Sequence, residues 1–261
     1  MKWIMIVSFV LCCLLPIATR AELPLDDLAL YMSFDDVQGN KVMDGSEHGN
    51  HGTIMKASLA KGKGKYGNAM EFKGGDNHVL IKSSDSLSIK DEVTIAAWVN
   101  WNDAPGNGWL CIMANGMQGG PWENYGLFVN RGSRYFYFTV SAGGEGAHKV
   151  MNSGAGTTEP EKWTHCVCTY DGKDAKIYID GDLINQAPHG LKLIAGEEDL
   201  KLGHRGGSTH WYNGLLDEIA VFSVALDENQ VKEASGNIDD ALDVEVRGKL
   251  ATVWGKVKAE R

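Results

Sequence analysis

Short apolar runs separated by turn residues recur along most of this chain, and they constrain its fold more than any other feature. The clearest runs are residues 28–34, 69–72, 78–81, 93–101, 109–115, 125–130 and 164–170. The chain has 32 glycines but 6 prolines, and stretches with helical periodicity are scarce. Asp171-Gly172 and Asp180-Gly181 indicate tight hairpins, because glycine accepts the positive φ that such turns require. Many short strands with regular turns predict a β-sandwich or barrel.

Residues 93–101 are apolar on both strand faces, which predicts a central strand that is covered on both sides. Such strands favour a two-layer sandwich. The best helix signal follows Asp227, whose side chain can cap a short helix while Gln230 reaches back to the cap. The predicted fold is therefore all-β, with one short helix near the C-terminal end.

The first 21 residues are typical of a secretory signal peptide. Lys2 precedes an apolar run, and small residues stand near Ala21, where cleavage is expected. The alternative is an uncleaved anchor, but the run is shorter than the roughly 20 residues that span a bilayer. We expect a secreted, periplasmic or cell-surface protein without a membrane span in the mature chain. One domain is predicted over residues 24–236, followed by a tail, residues 237–261, that is either packed or flexible.

The formal net charge of −9 argues against nucleic acids and anionic membranes as partners. Three cysteines lie beyond the signal: Cys111, Cys166 and Cys168. Buried free thiols are the favoured interpretation, because Cys166 and Cys168 alternate toward one apolar strand face. A bridge from Cys111 to one of the other two is the main alternative, and a metal site has the weakest support.

An acidic pair, Asp217-Glu218, interrupts the apolar run at residues 214–222. Carboxylates inside a strand are costly unless something pairs with them. Either this strand lies at an edge or rim, or Asp217 has a partner there, for which a metal ion is the obvious candidate.

Several motifs in order resemble the laminin G-like, concanavalin A-like jelly-roll domains, particularly their bacterial branch. The motifs are LYMSFDD (30–36), DGSEHGNHGT (44–53), GKYGNAMEFKGGDNHVLI (64–81), VTIAAWVNW (93–101), KWTHCVCTYDG (162–172), KIYIDG (176–181) and GLLDEIAVFSVAL (214–226). The resemblance implies a two-sheet antiparallel jelly-roll sandwich. It leaves function open, since such domains include lectins, adhesion modules and glycosidases.

The resemblance also implies a structural calcium ion, which takes six to eight oxygen ligands. Matched motif by motif, the ligands are Asp35, a backbone carbonyl at Lys73 or Gly74, and Asp217. Lesser candidates from the adjoining loop are Asp36, Asp44 and Asn50. The alternative is that Asp35 is an ordinary loop acid and that Asp217 accepts hydrogen bonds from backbone amides.

A sugar site needs an aromatic platform beside hydrogen-bonding groups, because a pyranose has an apolar face and a polar rim. Trp109, Trp122, Tyr125 and Trp211 lie in or beside glycine-rich loops and are the candidate ligand-binding residues. The alternative for each is ordinary packing. Tyr135 and Tyr137 share one strand face, and Phe136 and Phe138 share the other, which indicates a structural strand.

Catalytic residues are not predicted. Glycoside hydrolysis needs two carboxyl groups about 5–10 Å apart, and the adjacent Asp217 and Glu218 are expected to face opposite sides of a strand. We therefore expect a binding module whose partner is a glycan or an extracellular protein. A concanavalin A-like glycosidase and a passive adhesion module are the alternatives, and the oligomeric state is left open.

Overall fold

The computed structural model describes residues 21–103, 108–116, 123–142, 148–193, 198–206 and 209–242. The predicted signal peptide lies outside these residues except for Ala21, as does the tail beyond residue 242. Trp122 also lies outside them. Within the described residues, no helix is both long and apolar enough to cross a bilayer.

The described residues contain seventeen strands, an α-helix and a further helical stretch at residues 238–242. The strands of the N-terminal half are β1 (Leu28–Met32), β2 (Val37–Gln38), β3 (Lys41–Val42), β4 (Gly52–Met55), β5 (Ser58–Ala60), β6 (Ala69–Lys73), β7 (His78–Ile81), β8 (Val93–Trp101) and β9 (Trp109–Asn115). Those that follow are β10 (Tyr125–Asn130), β11 (Tyr135–Ser141), β12 (His148–Asn152), β13 (Thr164–Tyr170), β14 (Asp174–Ile179), β15 (Asp182–Pro188), β16 (Leu200–Leu202) and β17 (Asn213–Phe222). The helix α1 is Glu228–Ala234, and short 3-10 turns lie at Leu25–Asp27 and Asp85–Leu87.

The strands form two antiparallel sheets, which confirms the predicted sandwich. Sheet A has the order β15-β14-β13-β8-β17-β6-β5, with β1 added against β17. Sheet B has the order β12-β11-β10-β9-β16-β7-β4-β3-β2. The main hydrophobic core lies between them and contains large side chains such as Phe72, Trp101, Phe136 and Phe138.

The strand predicted to be central is central. β8 pairs with β13 on one side and with β17 on the other, and all its residues except Asn100 are buried. β1 runs antiparallel to β17, with Tyr31 opposite Ala220 and Met32 opposite Ile219. The beginning of the fold therefore meets its last strand, and this contact positions the acidic residues described below.

The Asp-Gly pairs form the predicted tight turns. Asp180 and Gly181 alone connect β14 to β15, and both have positive φ, 50° and 89°. The structure also contains short strands that the sequence did not single out. β2 and β3 lie within residues 35–52. The apolar pattern does not mark them, because strands of two residues carry no detectable alternation.

The three cysteines are buried free thiols, as the sequence favoured. Cys166 and Cys168 face the inter-sheet core, with their Sγ atoms 3.8 Å apart. Cys111 belongs to sheet B and packs with Ala114 and Phe128 in a separate cluster on the other side of that sheet. The alternative of a disulfide from Cys111 is therefore wrong.

The predicted capping box is present at α1. Asp227 Oδ1 accepts hydrogen bonds from the backbone amides of Asn229 at 2.8 Å and Gln230 at 2.9 Å. The Gln230 side chain accepts in return from the amide of Asp227 at 3.0 Å. Val231 and Ala234 then place the buried face of the helix against the outer face of sheet A.

Replacing this cap with Asp227→Ala is expected to lower the free energy of unfolding by about 1 kcal/mol, because two helix amides lose their acceptor. Urea denaturation measures the change. The matched control is Asn229→Ala, an exposed position in the same turn, which should shift the value by less than about 0.5 kcal/mol. Equal effects of the two substitutions would contradict the role of the cap.

Candidate functional site

A cluster of aromatic side chains covers the outer face of sheet B. Phe128 on β10 lies opposite Cys111 on β9 and opposite Tyr137 on β11. The ring centroids of Trp109 and Tyr137 are 4.5 Å apart, and those of Phe128 and Tyr137 are 6.2 Å apart. Adjacent strands thus present their rings side by side, away from the core.

A groove of about 150 Å³ opens beside these rings. Its lining combines aromatic with polar and charged side chains: Trp109, Glu123, Phe128, Tyr137, Thr139, His148, Arg205 and His210. We refer to these eight residues as the groove. Thr139 Oγ1 is buried and has no hydrogen-bond partner among the described residues, so the groove holds a polar atom that a ligand could satisfy.

Glu123 and Arg205 form an ion pair at the groove. Their side chains are 3% and 15% exposed, respectively, so the pair is largely shielded from water. The Arg205 guanidinium also lies 6.0 Å from the Phe128 ring centroid. Burial, and secondarily the charge of Arg205, lowers the pKa of His210. Burial likewise raises the pKa of the Tyr137 hydroxyl. Both shifts favour the neutral forms of His210 and Tyr137, which can donate and accept hydrogen bonds.

A second cavity of about 390 Å³ adjoins the groove. The two share Trp109 and His210. The remaining lining residues of the second cavity are Gly74, Gly108, Leu110, Arg131, Thr209, Trp211 and Asn213. Trp211 is 39% exposed, which is unusual for a side chain of its size. The shared residues make the two cavities one continuous surface.

Backbone hydrogen bonds hold Gly203 and His210 against β9. β16 pairs with β9 up to Leu202, and Gly203 then donates to the Ile112 carbonyl at 2.9 Å. Further along, the carbonyl of His210 accepts from the amide of Cys111 at 3.1 Å. His210 itself has a positive φ of 66°. These contacts fix the position of His210 beside β9, at the edge of both cavities.

Two of the four ligand-binding residues predicted from the sequence line the cavities. Trp109 lines both cavities, and Trp211 lines the second. Tyr125 is fully buried in the inter-sheet core, and its hydroxyl donates to the Leu87 carbonyl at 3.1 Å. This corrects the expectation that Tyr125 contacts a ligand, since β10 turns it to the opposite face from Phe128. Trp122 lies outside the described residues.

Sequence reasoning missed several groove residues: Phe128, Tyr137, Thr139, His148 and Arg205. Tyr137 had been interpreted as structural. The alternation of side chains along β10 and β11 could have identified some of these groove residues. It places Phe136 and Phe138 in the core and Tyr137 on the outer face of sheet B. No local pattern marks Arg205, because it reaches the groove only through the path of the chain after β16.

Asp35 and Asp217, the two predicted calcium-binding carboxylates, meet at the loop formed by residues 64–68. The amide of Asn68 donates to Asp35 Oδ1 at 2.7 Å, and the amide of Tyr66 donates to Asp217 Oδ2 at 3.0 Å. These contacts agree with the alternative in which Asp217 accepts hydrogen bonds from backbone amides. Burial is the main cause that raises the pKa of Asp217, and the charge of Asp35 adds to the rise.

Oxygen atoms converge beside Gly64 in this loop. The carbonyl oxygens of Tyr66 and Asn68 and Asp217 Oδ2 all lie within 2.7 Å of the point that a Cβ at Gly64 would occupy. Asp217 is fully buried, and burial raises its pKa to about 7. Two carboxylates with backbone carbonyls are the donor set that calcium prefers, so these residues fit the ion. The described residues contain no group of three or more His, Cys, Asp or Glu side chains that could hold a metal.

The remaining calcium candidates lie apart or have structural roles. The amide of Gly74 donates to the Tyr212 carbonyl at 2.9 Å, and Lys73 lies opposite Asn213, at the far end of β17 from Asp217. The antiparallel register therefore keeps Gly74 and Lys73 away from Asp35 and Asp217, which corrects their assignment as ligands.

The loop candidates also have partners of their own. Asp44 accepts from the amides of Tyr31 at 2.9 Å and Asn50 at 2.7 Å, so it organises its own loop. The Asn50 side chain donates to the Ala29 carbonyl at 2.7 Å. Asp36 accepts from the Gln38 side chain at 3.2 Å. These contacts account for the three polar residues without a metal ion.

Glu218 does not point away from Asp217 as strand alternation would require. A β-bulge interrupts the pairing of β17 with β8 between Asp217 and Ala220, and Glu218 has a positive φ of 51°. Its Oε2 accepts from the Tyr31 hydroxyl at 2.7 Å, on the outer side of sheet A. Both carboxylates are at most 1% exposed. The expectation of opposite faces is wrong, and neither acid is accessible to a substrate.

A family model described as the concanavalin A-like lectin/glucanases superfamily matches residues 73–232. No curated protein matches the chain. Among solved structures, the binding domain of Paraclostridial Mosquitocidal Protein 1 is similar, with 16% sequence identity and a TM-score of 0.65. The receptor binding domain of botulinum neurotoxin D is similar with 12% identity and a TM-score of 0.63. A third structure, the botulinum neurotoxin serotype D ligand binding domain in complex with N-acetylneuraminic acid, has 13% identity and a TM-score of 0.64.

In each of these comparisons the match covers 81% of this chain. It covers 52%, 52% and 51% of the three structures, so the chain spans about half of their length. At such identities the similarity shows the fold alone.

Proposed function

We propose that this chain, which belongs to the concanavalin A-like lectin/glucanases superfamily, is a binding module that recognises a carbohydrate through the groove on sheet B. The observation that carries the proposal is the composition of the groove. Trp109 and Tyr137 offer ring surfaces, while Glu123, Arg205 and His210 offer hydrogen-bonding groups beside them. This is the pairing that the apolar face and the polar rim of a pyranose require.

The pre-formed polar groups support a ligand with hydroxyl groups rather than a purely apolar one. The Glu123–Arg205 pair is already fixed in a shielded position, so a sugar would find oriented acceptors and donors without a large ordering cost. The buried Thr139 hydroxyl has no hydrogen-bond partner within the described residues, and a ligand in the groove would supply one.

Binding without catalysis is part of the proposal. Glycoside hydrolysis needs two carboxyl groups that flank the scissile bond. Among the described lining residues of the groove, Glu123 is the one carboxylate, and Arg205 neutralises it. The similar solved structures named above are binding domains, and one of them holds N-acetylneuraminic acid, which supports a binding role for this fold.

A structural calcium ion and export complete the proposal. Asp35, Asp217 and the carbonyl groups of Tyr66 and Asn68 would hold the ion. It would join the residues after β1 to β17 and offset the charge of two neighbouring acids. The apolar segment before Ala21 supports export to the periplasm, the cell surface or the medium.

Trp109→Ala is expected to weaken glycan binding at least about tenfold, because the ring contacts both cavities and aromatic anchors of this kind contribute more than about 1 kcal/mol. Glycans that bind the wild type on an array should be titrated against both proteins by calorimetry. The matched control is Leu183→Ala, which removes an exposed apolar side chain from β15 in the other sheet.

Equal affinities of Trp109→Ala and wild type would place the site elsewhere. A wild-type protein that binds no glycan on the array would favour the alternative of an extracellular protein partner.

A further inference from the structure

We propose that the second cavity binds the acid group of an anionic saccharide, a carboxylate or a sulfate ester, through Arg131. This inference rests on the proposed carbohydrate-binding function and adds the chemical class of the ligand. In this arrangement the second cavity holds the sugar that carries the acid group, and the groove holds the sugar ring next to it.

Arg131 is positioned by the backbone rather than by another side chain. It follows β10 directly, and its amide donates to the Gly108 carbonyl at 3.0 Å. An added Cβ at Gly108 would lie 3.1 Å from Arg131 Nη2. Because Gly108 has no side chain, the guanidinium lies close against the segment that leads into β9. Both residues line the second cavity together with Trp109 and Trp211.

The positive charge of Arg131 has no counter-ion within the described part of the chain. Its Nε is buried and lacks a hydrogen-bond partner there. The neighbouring arginines differ: Arg205 pairs with Glu123, and Arg134 lies 3.8 Å from Asp103. Residues 104–107 precede Gly108 in the sequence and residues 207–208 precede Thr209, and neither stretch contains an acidic residue. Among the described residues that line the two cavities, Arg131 is therefore the arginine without an acidic partner.

An unneutralised cation matters in a protein of this composition. The chain has a formal net charge of −9, so anions are not drawn to its surface in general. A guanidinium presents a planar fork of donors that matches a carboxylate or a sulfate in geometry as well as in charge. Trp109 and Trp211 line the same cavity, and a ligand bound beside them would displace water and so strengthen the contact.

The two cavities are arranged so that one ligand can occupy both. Trp109 and His210 belong to each lining, so a ring packed on Trp109 in the groove has its neighbour at the second cavity. The groove is charge-balanced by Glu123 and Arg205, whereas the second cavity carries the free charge of Arg131. A neutral sugar linked to an acidic one matches this distribution.

The test compares acidic glycans with their neutral parents on an array that carries sialylated, uronate-containing and sulfated oligosaccharides, followed by calorimetric titration of the best pair. Wild type is expected to bind the acidic member at least about tenfold more tightly, as a charge-assisted hydrogen bond contributes about 1.5–3 kcal/mol. Arg131→Gln should reduce this ratio to about one. Carboxylated and sulfated glycans in separate arms identify which acid group is recognised.

Arg134→Gln is the matched control, since it removes an exposed arginine from the same turn and should keep the wild-type ratio. Arg131→Lys keeps the charge without the planar fork, so it should give an intermediate ratio and also guards against a folding defect in Arg131→Gln. An unchanged ratio in Arg131→Gln, or a wild type without preference for acidic glycans, would overturn the inference and leave carbohydrate binding standing. A wild type that binds neither member of any pair would overturn both.

Discussion

Removal of calcium is expected to lower the melting temperature of the protein by about 5–10 °C. A ligand present at about 100 times its dissociation constant stabilises the native state by about 2.7 kcal/mol, provided that the unfolded chain does not bind it. Each kcal/mol shifts the melting temperature of a domain of this size by about 2–4 °C. Differential scanning calorimetry of chelator-washed and calcium-saturated protein measures the change directly.

The physical reason lies in the surroundings of Asp217. Its carboxyl group is fully buried, and burial is the main cause that raises its pKa to about 7. Asp35 adds a second negative charge close enough to raise that pKa further. A divalent cation would favour the ionised form of both acids. It would also connect the residues after β1 to β17, which are far apart in sequence, so its loss weakens the closure of the sandwich.

Two substitutions distinguish this effect from a general influence of calcium. Asp35→Asn and Asp217→Asn should each abolish most of the shift between calcium-free and calcium-saturated protein. Asp76→Asn is the control, because Asp76 is an exposed acid that pairs with Lys56 at 2.7 Å, and it should keep the full shift. Identical melting temperatures of wild type with and without calcium would rule out the ion.

The resemblance predicted that Asp35 and Asp217 lie at one site, and the strand order accounts for it. A first strand that pairs with the last one brings the end of one motif to the middle of the other. The position of Gly74 was not predictable in the same way. Its distance from Asp217 depends on the register of β6 against β17, which places Lys73 opposite Asn213 and Met70 opposite Leu216. A motif match gives the order of the segments along the chain, but it does not give the register in which their strands pair.

The same limit applies to the groove. Trp109 and Trp211 were found from the sequence because they stand beside glycine-rich loops, but Tyr125 has the same local signature and belongs to the core. The sheet face on which Tyr125 lies depends on where β10 begins, because a shift of one residue moves every side chain of a strand to the opposite face. Glu218 is a further case, since the β-bulge that turns it toward Tyr31 leaves no trace in the apolar pattern.

Acid is expected to destabilise the fold through His165, which lies on β13 at the outer side of sheet A. The side chain is 1% exposed, and neither ring nitrogen has a hydrogen-bond partner among the described residues. Its ring centroid lies 5.0 Å from that of Trp98. Burial, and secondarily the charge of Lys65, lowers the pKa of His165 to about 3 from the ordinary value of 6.5.

The sign of the effect follows from the proton count. Between pH 6.5 and pH 3, the unfolded chain binds a proton at His165 that the folded chain does not accept, so stability falls as the pH falls through this window. At about pH 5, 1.5 pH units below the unfolded pKa, the loss amounts to about 2 kcal/mol. Burial also lowers the pKa of His189 and His210, and for that reason the wild type alone does not isolate the contribution of His165.

His165→Gln isolates it, because glutamine fills a similar space and does not titrate. Urea denaturation at about pH 7 and pH 5 should show that the wild type loses about 2 kcal/mol more than His165→Gln over this interval. His48→Gln, at an exposed loop position, should behave like the wild type. If the wild type and His165→Gln lose the same amount, His165 accepts its proton within the folded protein. The outer side of sheet A would then have to open, or admit water, next to Trp98 before the rest of the sandwich unfolds.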